Sequence, residues 1–212
     1  MSHILITSGP TRQYIDPVRY LTNASSGRMG RALAEAALAL GHDVTVISGP
    51  VDVEYPQAAR VIDVISTEDM LDVCLAHFDS CDGLIGAAAP CDYRPVKVAP
   101  GKISKTGEPL RLNLVETPDV VATLGAMKAR QWLVGFALET EDHRFRAIVK
   151  AERKSCDLMV VNGVEAMHSL ENQVEIIDRE GNVLRTIDGP KEDVARGILD
   201  VVQSRLIAPA TA

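Results

Sequence analysis

The sequence lacks three features that would each define a class of protein. It has no run of about 20 apolar residues and no charged-then-apolar leader, so we expect no membrane span and a cytoplasmic location. Its four cysteines form no C-x-x-C pair, which favours buried free thiols over a metal site. Its 22 basic residues are outnumbered by 29 acidic ones, and the formal charge of −7 argues against a broad nucleic-acid-binding surface.

What remains is the composition of an ordinary soluble globular protein. Hydrophobic residues make up 46% and charged residues 24% of the 212 residues. This length is enough for a buried core, and the sequence contains neither an internal repeat nor a linker. We therefore predict a single domain over residues 1–212.

Apolar strands and helices alternate along most of the chain. Strands are predicted at 3–7, 43–48, 60–65, 82–87, 131–137 and 158–161, and continuous apolar runs of this kind are typical of a sheet covered on both faces. Helices are predicted at 27–40, 67–78, 141–154, from Pro190 to about 206, and after Thr117, which we assign as a helix cap. The alternation predicts an α/β, Rossmann-like fold with a mainly parallel sheet and helices on both faces. A β-hairpin at about 172–187 completes it.

The segment between the first strand and the first helix is the first with functional residue types. It ends in Ser25, Ser26 and Gly27, and small residues at a helix start present backbone N–H groups to an anion. The connection is about twenty residues long, too long for the dinucleotide fingerprint, whose glycines lie directly between strand and helix. The segment predicts a phosphorylated ligand.

Two later segments extend this prediction. The small residues at 87–90 end the fourth strand, where a ligand can approach the backbone closely. Residues 91–116, which we call the flap, then break the alternation. Three lysines within nine residues of the flap, in an acidic protein, predict that it contacts an anion.

Six segments carry a resemblance to a known family. They are T-S-G-P-T-R-x-x-I-D-P-V-R-Y-L-T-N-A-S-S-G-R-M-G (7–30), I-S-G-P-V (47–51), D-Y-R-P (92–95), K-I-S-K (102–105), V-G-F-A-L-E-T (134–140) and D-L-M-V-V-N (157–162). In this order and spacing the chain resembles the phosphopantothenate–cysteine ligases, also called phosphopantothenoylcysteine synthetases, over nearly its whole length. In many bacteria such a domain is fused behind a flavin-dependent decarboxylase, and the resemblance covers the ligase part.

The resemblance implies a two-step ligation in coenzyme A biosynthesis. The carboxylate of 4′-phosphopantothenate attacks the α-phosphate of a nucleoside triphosphate, usually CTP in bacteria, to give an acyl-cytidylate and pyrophosphate. The amine of cysteine then displaces CMP and forms the amide. Activation is needed because a carboxylate has no leaving group, and the protein contributes positioning and charge neutralisation.

The resemblance also implies roles for three candidate catalytic residues. Lys102 matches the lysine required for acyl-nucleotide formation, where its charge would offset charge at the triphosphate. Asn23 matches the asparagine that contacts the activated acyl group, and Arg19 matches an arginine of the same half-reaction. A solvated surface lysine and a turn asparagine are the structural alternatives for Lys102 and Asn23.

The same resemblance implies the candidate nucleotide-binding residues. These are Gly9, Ser25, Ser26, Gly27, Ala88, Ala89, Asp92, Lys102, Lys105 and Phe136. The glycines and serines would donate to phosphates, Ala88 would leave room beside the acyl-nucleotide, and Phe136 lies where the family reads the base. Asp92 corresponds to an acidic residue at the nucleotide site and is the candidate ligand for Mg²⁺ carried by the triphosphate. A turn cap and a plain core phenylalanine are the structural alternatives for Asp92 and Phe136.

The chain departs from the family pattern in two places. Ser104 stands where the flap motif often has a further lysine, which weakens an auxiliary phosphate contact but leaves Lys102 and Lys105. Pro90 stands in the family's A-A-V-A-D run and removes a backbone donor beside the nucleotide. The choice between CTP and ATP therefore stays open.

The resemblance implies a homodimer as well. The sequence adds one supporting feature, since residues 110–115 alternate like a strand that would otherwise be an exposed edge. We expect this flap strand to pair or pack against a partner subunit.

Two other functions compete with the ligase. An NAD(P)-dependent Rossmann-type reductase would need a glycine-rich turn directly after the first strand, a charged selector after the second and a Tyr-x-x-x-Lys relay. Residues 7–30 and 48–50 do not match the first two, and the one Tyr-x-x-x-Lys spacing, from Tyr93 to Lys97, contains a proline and lies in the flap. A non-catalytic nucleotide-binding subunit would not need Asn23, Arg19 and Lys102 together.

Overall fold

Eight strands form the central sheet of the computed structural model, which describes residues 1–138, 143–162 and 172–208. The strands of the chain are β1 (His3–Ser8), β2 (Arg12–Asp16), β3 (Arg19–Thr22), β4 (Asp43–Ser48), β5 (Arg60–Asp63), β6 (Gly83–Gly86), β7 (Tyr93–Pro95), β8 (Leu114–Glu116), β9 (Trp132–Leu138), β10 (Leu158–Asn162), β11 (Asn172–Asp178) and β12 (Val183–Gly189). The helices are α1 (Arg28–Ala39), α2 (Thr67–Phe78), α3 (Val120–Met127), α4 (His143–Arg153) and α5 (Lys191–Val202), and a π-helical segment, Gln203–Ile207, follows α5.

The sheet has the order β12-β11-β10-β9-β6-β1-β4-β5. Its strands from β5 to β10 are parallel, and the β11–β12 hairpin adds two antiparallel strands at one edge. Counted along the chain, the six parallel strands lie in the order 3-2-1-4-5-6, which is the doubly wound order of dinucleotide-binding domains. The α/β, Rossmann-like prediction and the C-terminal hairpin are thus confirmed. The order reverses between β1 and β6.

Both faces of the sheet are covered, which explains the continuous apolar runs of its strands. Ile4 and Ile6 of β1 pack into the cluster that holds α1 and α5, whereas Leu5 packs into the cluster that holds α2, α3 and α4. All three side chains are fully buried. Because neighbouring side chains of a strand point to opposite faces, a strand between two helical layers must be apolar at every position.

The helix ends follow their sequence signals in two cases and not in a third. Gly41, with φ of 81°, closes α1 at the end of the helix predicted at 27–40. Ser66 caps α2, with its Oγ accepting from Asp69 N and the Asp69 carboxylate accepting from Ser66 N. The assignment of Thr117 as a cap was wrong, because Asp119 caps α3 by accepting from Ala122 N at 3.1 Å. Thr117 instead donates to the carbonyl oxygen of Cys91 at 2.6 Å.

Two strand predictions need correction, and one part of a prediction lies outside the described residues. The polar stretch after β1 is not all loop, since it contains the β2–β3 hairpin. The flap strand predicted at 110–115 is shorter and later, since β8 pairs with β7 of the same chain and closes the flap with a two-stranded ribbon. The predicted end of the β9 strand at 139–140 is not among the described residues. Among those that are, no helix is long and apolar enough to cross a membrane.

Candidate active site

The candidate site lies where β1 and β6 end, at the point where the strand order reverses. The two segments that follow these strands stay together, since Ala89 N donates to the carbonyl oxygen of Gly9 at 2.9 Å and Pro10 forms a parallel bridge with Ala89. Ligands of open α/β sheets bind in the crevice at this edge. The structure thus brings the predicted residues Gly9, Ala88 and Ala89 to the ligand edge.

A closed ring of hydrogen bonds fixes the backbone next to this edge. Cys91 N donates to Thr11 Oγ1 at 2.7 Å, the Thr11 and Thr67 hydroxyls lie 2.8 Å apart, and Thr67 Oγ1 donates to the carbonyl oxygen of Cys91 at 3.1 Å. Since the Thr67 proton is used on Cys91, Thr11 is the donor between the two hydroxyls. Both threonines are fully buried. The sequence analysis missed this ring, because its two threonines lie 56 residues apart, one before β2 and one at the start of α2.

Asn23 is held over the same backbone. Its Nδ2 donates to the carbonyl oxygen of Pro90 at 2.8 Å. A carbonyl oxygen only accepts, so this bond fixes which end of the amide faces Pro90 and leaves Asn23 Oδ1 directed away from it. Pro90, the departure from the family pattern, therefore orients Asn23 through its carbonyl group, which proline retains.

The start of α1 is open to an anion. Gly27 precedes the helix with φ of 73°, and no side chain caps the first-turn N–H groups. The Gly27 carbonyl oxygen accepts from Ser8 Oγ at 3.3 Å, which ties the helix start to the end of β1. Ser25 and Ser26 lie directly before this start, half-buried and exposed, respectively. Uncapped N–H groups and the helix dipole favour an anion here, and the phosphate predicted from the sequence stays a prediction.

A cavity of about 610 Å³ opens at the ends of β6 and β9. Ala88, Asp92 and Phe136, three of the predicted nucleotide-binding residues, lie in its wall together with Pro90. This volume suits a small-molecule ligand. Asn23 lies next to the cavity through its bond to Pro90, whereas Arg19, Lys102 and Lys105 do not line it.

Two basic residues of the cavity wall were missed by the sequence analysis. Arg153 and Lys154, at the end of α4, line the cavity and pair with Asp119 at 3.4 and 3.0 Å. Asp119 also caps α3, so these charges meet at a helix start on the cavity wall. The end of a charged helix was their only sequence signal, and nothing in it indicated which face of the sheet they would reach.

The flap carries the remaining candidates. Lys102 and Lys105 are exposed, and Ile103 between them is joined to Arg19, whose Nη2 donates to the Ile103 carbonyl oxygen at 2.8 Å. Arg19 is in turn paired with the buried Asp16 at 3.0 Å. Burial acts to raise the pKa of Asp16, but the N–H groups of Val18 and Ile103 and the Arg19 guanidinium outweigh it, and the pKa lies below its ordinary value.

Asp92 is the candidate metal ligand and is exposed at the cavity. Within the described ranges, no three His, Cys, Asp or Glu side chains are grouped so that they could hold a metal ion. Magnesium that travels with a triphosphate needs only one or two protein carboxylates, because phosphates and water fill its other positions. Asp92 could supply such a carboxylate from the wall of the cavity.

The cysteines are buried free thiols, as predicted. Burial raises the pKa of Cys74 to about 12 and those of Cys81 and Cys156 to about 11. Cys91 contacts the ribbon of the flap, with its Sγ 3.3 Å from the carbonyl oxygen of Tyr93. These thiols have structural positions in the core and at the flap.

The sheet order, the uncapped helix start and the cavity at the reversal point define a doubly wound α/β domain with a candidate ligand site at its switch point. Within this class, the chain belongs to the family of the DNA/pantothenate metabolism flavoprotein C-terminal domain, whose model matches residues 1–206. The family-level resemblance carried by the sequence motifs is confirmed.

Individual relatives agree with this assignment. The coenzyme A biosynthesis bifunctional protein CoaBC of Vibrio vulnificus is 43% identical over 185 residues, which cover 84% of this chain and 46% of that protein. The chain thus spans about half the length of the curated relatives it matches. The crystal structure of the C-terminal domain of a CoaBC protein superposes with a TM-score of 0.82 at 37% identity, covering 98% of both chains. A Cab2 mutant in complex with phosphopantothenate-cysteine, at 16% identity, shares the fold with a TM-score of 0.79 and coverage of 97% and 86%.

Proposed function

We propose that the chain is a ligase that joins 4′-phosphopantothenate to cysteine through an acyl-nucleotide, with release of pyrophosphate and a nucleoside monophosphate. Membership in a family whose relatives include coenzyme A biosynthesis proteins supports the substrate class. The observation that carries the proposal is the Asn23 amide, held by the Pro90 carbonyl group at the rim of the cavity. An oriented amide next to a nucleotide-sized cavity suits the management of an activated acyl group.

In the proposed reaction the parts of the site have separate tasks. The open start of α1 would hold a phosphate, and the cavity wall at Ala88 and Phe136 would hold the nucleotide. Lys102 would offset the charge that develops when the substrate carboxylate attacks the α-phosphate. Asn23 would orient the acyl group for the amine of cysteine, and Arg19 would support the same step. The reaction then proceeds by positioning rather than by covalent participation of the protein.

We further propose that CTP is the nucleotide, with ATP as the alternative, and that it enters as its Mg²⁺ complex. Bound magnesium would neutralise charge on the triphosphate, and Asp92 is the residue of the cavity that would contact it. Arg153 and Lys154 add positive charge to the same wall. The cytoplasmic location expected from the sequence stays a prediction.

The competing reductase function is not favoured. The sheet order is that of dinucleotide-binding domains, but the connection from β1 to α1 contains the β2–β3 hairpin. A dinucleotide fingerprint needs a tight glycine turn there, so that the helix start can meet the pyrophosphate directly. The hairpin instead projects Arg19 toward the flap, where Nη2 reaches Ile103.

The deciding assay uses the purified chain, 4′-phosphopantothenate, Mg²⁺ and either CTP or ATP. Pyrophosphate is measured with and without cysteine, and the acyl-nucleotide is detected by mass spectrometry. We expect CTP to give pyrophosphate in a stoichiometric burst without cysteine and continuous turnover with it. Absence of pyrophosphate with both nucleotides would overturn the proposal. The Asn23→Asp variant should still release the burst but accumulate the acyl-nucleotide when cysteine is present.

We also propose the homodimer implied by the resemblance. The flap exposes apolar side chains at Val96, Val98, Leu110 and Leu114, with exposed fractions of 59%, 51%, 56% and 41%. Exposed apolar clusters of this kind mark protein interfaces. Sedimentation of the full chain tests this proposal, and Leu110→Glu should shift the distribution toward monomer. A wild-type chain that sediments as a monomer at micromolar concentration would contradict it.

A further inference from the structure

The flap is joined to the β2–β3 hairpin at the residue next to Lys102. Ile103 N donates to Asp16 Oδ2 at 3.1 Å, and the Ile103 carbonyl oxygen accepts from Arg19 Nη2 at 2.8 Å. Asp16 and Arg19 form an ion pair of their own, with Oδ2 and Nη1 3.0 Å apart. Both backbone groups of one flap residue therefore end on the two members of one ion pair.

We call the two hydrogen bonds of Ile103 to the Asp16–Arg19 ion pair the clamp, and they are the main contacts that hold the middle of the flap. Over residues 100–109, all of which the structure describes, the two bonds of Ile103 are the hydrogen bonds that reach another part of the chain. On one side the next tie is Ala99 N to the carbonyl oxygen of Ile15 at 2.9 Å. On the other side Asn113 accepts from Val96 N at 3.0 Å within the flap itself. The position of Lys102 thus depends on the clamp.

The two carboxylate oxygens of Asp16 have different tasks. Oδ1 accepts from the N–H groups of Val18 and Arg19, each at 2.9 Å, and so shapes the turn between β2 and β3. Oδ2 accepts from Ile103 N and pairs with Arg19. The side chain is fully buried, so it makes these contacts without competition from water. A carboxylate that only shaped the turn would not need its second oxygen on the flap.

We propose that Asp16 is a positioning residue for the ligation. Through Oδ2 it holds Arg19 and the backbone of Ile103 together, and it thereby limits where Lys102 can reach. Asp16 itself contacts no substrate in this proposal. Its effect on catalysis rests on the proposed ligase function, whereas its hold on the flap is independent of that function.

The division between the two oxygens gives a selective variant. Asp16→Asn can keep a turn-shaping oxygen at the Oδ1 position, and asparagine is well suited to such turns. It places an NH₂ group where Oδ2 was, which cannot accept from Ile103 N and cannot pair with Arg19. The matched control is Asp200→Asn, which breaks the exposed 3.0 Å ion pair between Arg185 and Asp200 in the β12–α5 region.

The first measurement is tryptic cleavage after Lys102 and Lys105 in the folded full chain, followed by mass spectrometry. The second is pyrophosphate release from CTP and 4′-phosphopantothenate without cysteine. For Asp16→Asn we expect cleavage to rise about tenfold and the rate of pyrophosphate release to fall about 10- to 100-fold, since small misplacements of a catalytic group cost this much. The KM for CTP should change less than kcat, because the cavity wall is intact. Asp200→Asn should change neither measurement.

Several outcomes would overturn the proposal. Unchanged cleavage at Lys102 and Lys105 would show that Asp16 does not hold the flap. Raised cleavage with an unchanged rate of pyrophosphate release would show that the clamp does not position Lys102. If the wild-type chain releases no pyrophosphate, the ligase function fails, and cleavage alone still decides whether Asp16 anchors the flap.

A second variant covers a folding failure. If Asp16→Asn does not fold, as judged by circular dichroism, Arg19→Gln removes the ion pair and the bond to the Ile103 carbonyl oxygen while it leaves Asp16 to shape the turn. The same rise in cleavage is expected. Its absence would overturn the clamp.

Discussion

The sheet edge and the flap hold their candidate residues by different means. At the edge, the backbone around Cys91 is enclosed by the threonine ring, and Asn23 is fixed by the Pro90 carbonyl group. In the flap, Lys102 is exposed and its neighbour Ile103 is held by one ion pair. We therefore expect substitutions at the edge to change stability as well as activity, and substitutions of exposed flap residues to change activity alone. Substitutions can separate these two properties.

The largest effect is expected at Lys102 and concerns activity alone. Lys102→Gln should slow acyl-nucleotide formation about 100- to 1000-fold, as removal of a single charge-stabilising group from an active site does. The melting temperature should stay within error of the wild type, because the side chain is exposed. Burst kinetics of pyrophosphate release measure the first quantity and calorimetry the second. Lys97→Gln, another exposed flap lysine, is the control, and an equal loss in both variants would argue against a specific role.

Two glycine substitutions, one next to the candidate site and one in the flap, test how much each region contributes to stability. A Cβ at Gly49, next to the site, would lie 1.6 Å from the carbonyl oxygen of Pro10, which is backbone and cannot move aside, whereas a Cβ at Gly101 in the flap would meet nothing within 4 Å. Gly49→Ala should lower the free energy of unfolding by about 3 kcal/mol. Gly101→Ala should change it by less than about 0.5 kcal/mol. Urea unfolding measures both, and similar values for the two variants would remove the distinction between edge and flap.

The same contrast explains how much of the fold the sequence could predict. The core strands were predicted because their apolar runs are local signals, and Ile4, Leu5 and Ile6 are apolar for the simple reason that both faces are covered. The ends of the helices predicted at 27–40 and 67–78 could be placed because capping, here by Gly41 and Ser66, is also local chemistry. The β2–β3 hairpin was missed because its short strands lie outside the central sheet and carry few apolar residues.

The site itself could be predicted only in part. Motif resemblance indicated Asn23, Ala88 and Asp92, and the structure brings these to the cavity or its rim. Arg153 and Lys154 could not be found, because they belong to none of the motifs and reach the cavity only through tertiary packing. The cap at Thr117 was wrong for a similar reason, since a long-range bond to Cys91 uses its hydroxyl group. Capping rules based on neighbouring residues fail where a polar side chain forms its hydrogen bond with a residue far away in the sequence.

The threonine ring offers a smaller test of the edge. Thr11→Val keeps the shape of a buried side chain but leaves Cys91 N without its acceptor. An unsatisfied buried donor should cost about 2 kcal/mol of unfolding free energy. Thr106→Val in the flap loses only an exposed bond to Glu108 N and should cost less than about 0.5 kcal/mol. Denaturant titration compares the two, and a Thr11→Val variant as stable as Thr106→Val would show that water replaces the ring.

The smallest effect is expected at Asp82, which lies at the opposite ends of the strands from the candidate site, and this effect depends on pH. The N–H of His3 and the nearby Arg130 guanidinium outweigh the effect of burial and lower the pKa of Asp82. Its contribution is therefore complete above the unfolded-state pKa of about 3.9 and is lost as the pH falls through the lower native pKa. Asp82→Asn should lower the unfolding free energy at pH 7 by less than about 1 kcal/mol, because the pair is partly solvated.

The difference between wild type and Asp82→Asn should shrink as the pH falls below about 4. Denaturant unfolding at a series of pH values measures this difference. Pyrophosphate release at pH 7 should stay at the wild-type rate, because Asp82 lies where β1 and β6 begin and the site lies where they end. If the difference in stability instead grew as the pH fell, the native pKa of Asp82 would be raised and not lowered. A loss of activity would show that the two edges of the sheet are coupled, so that the distinction between a structural edge and a functional one would no longer hold.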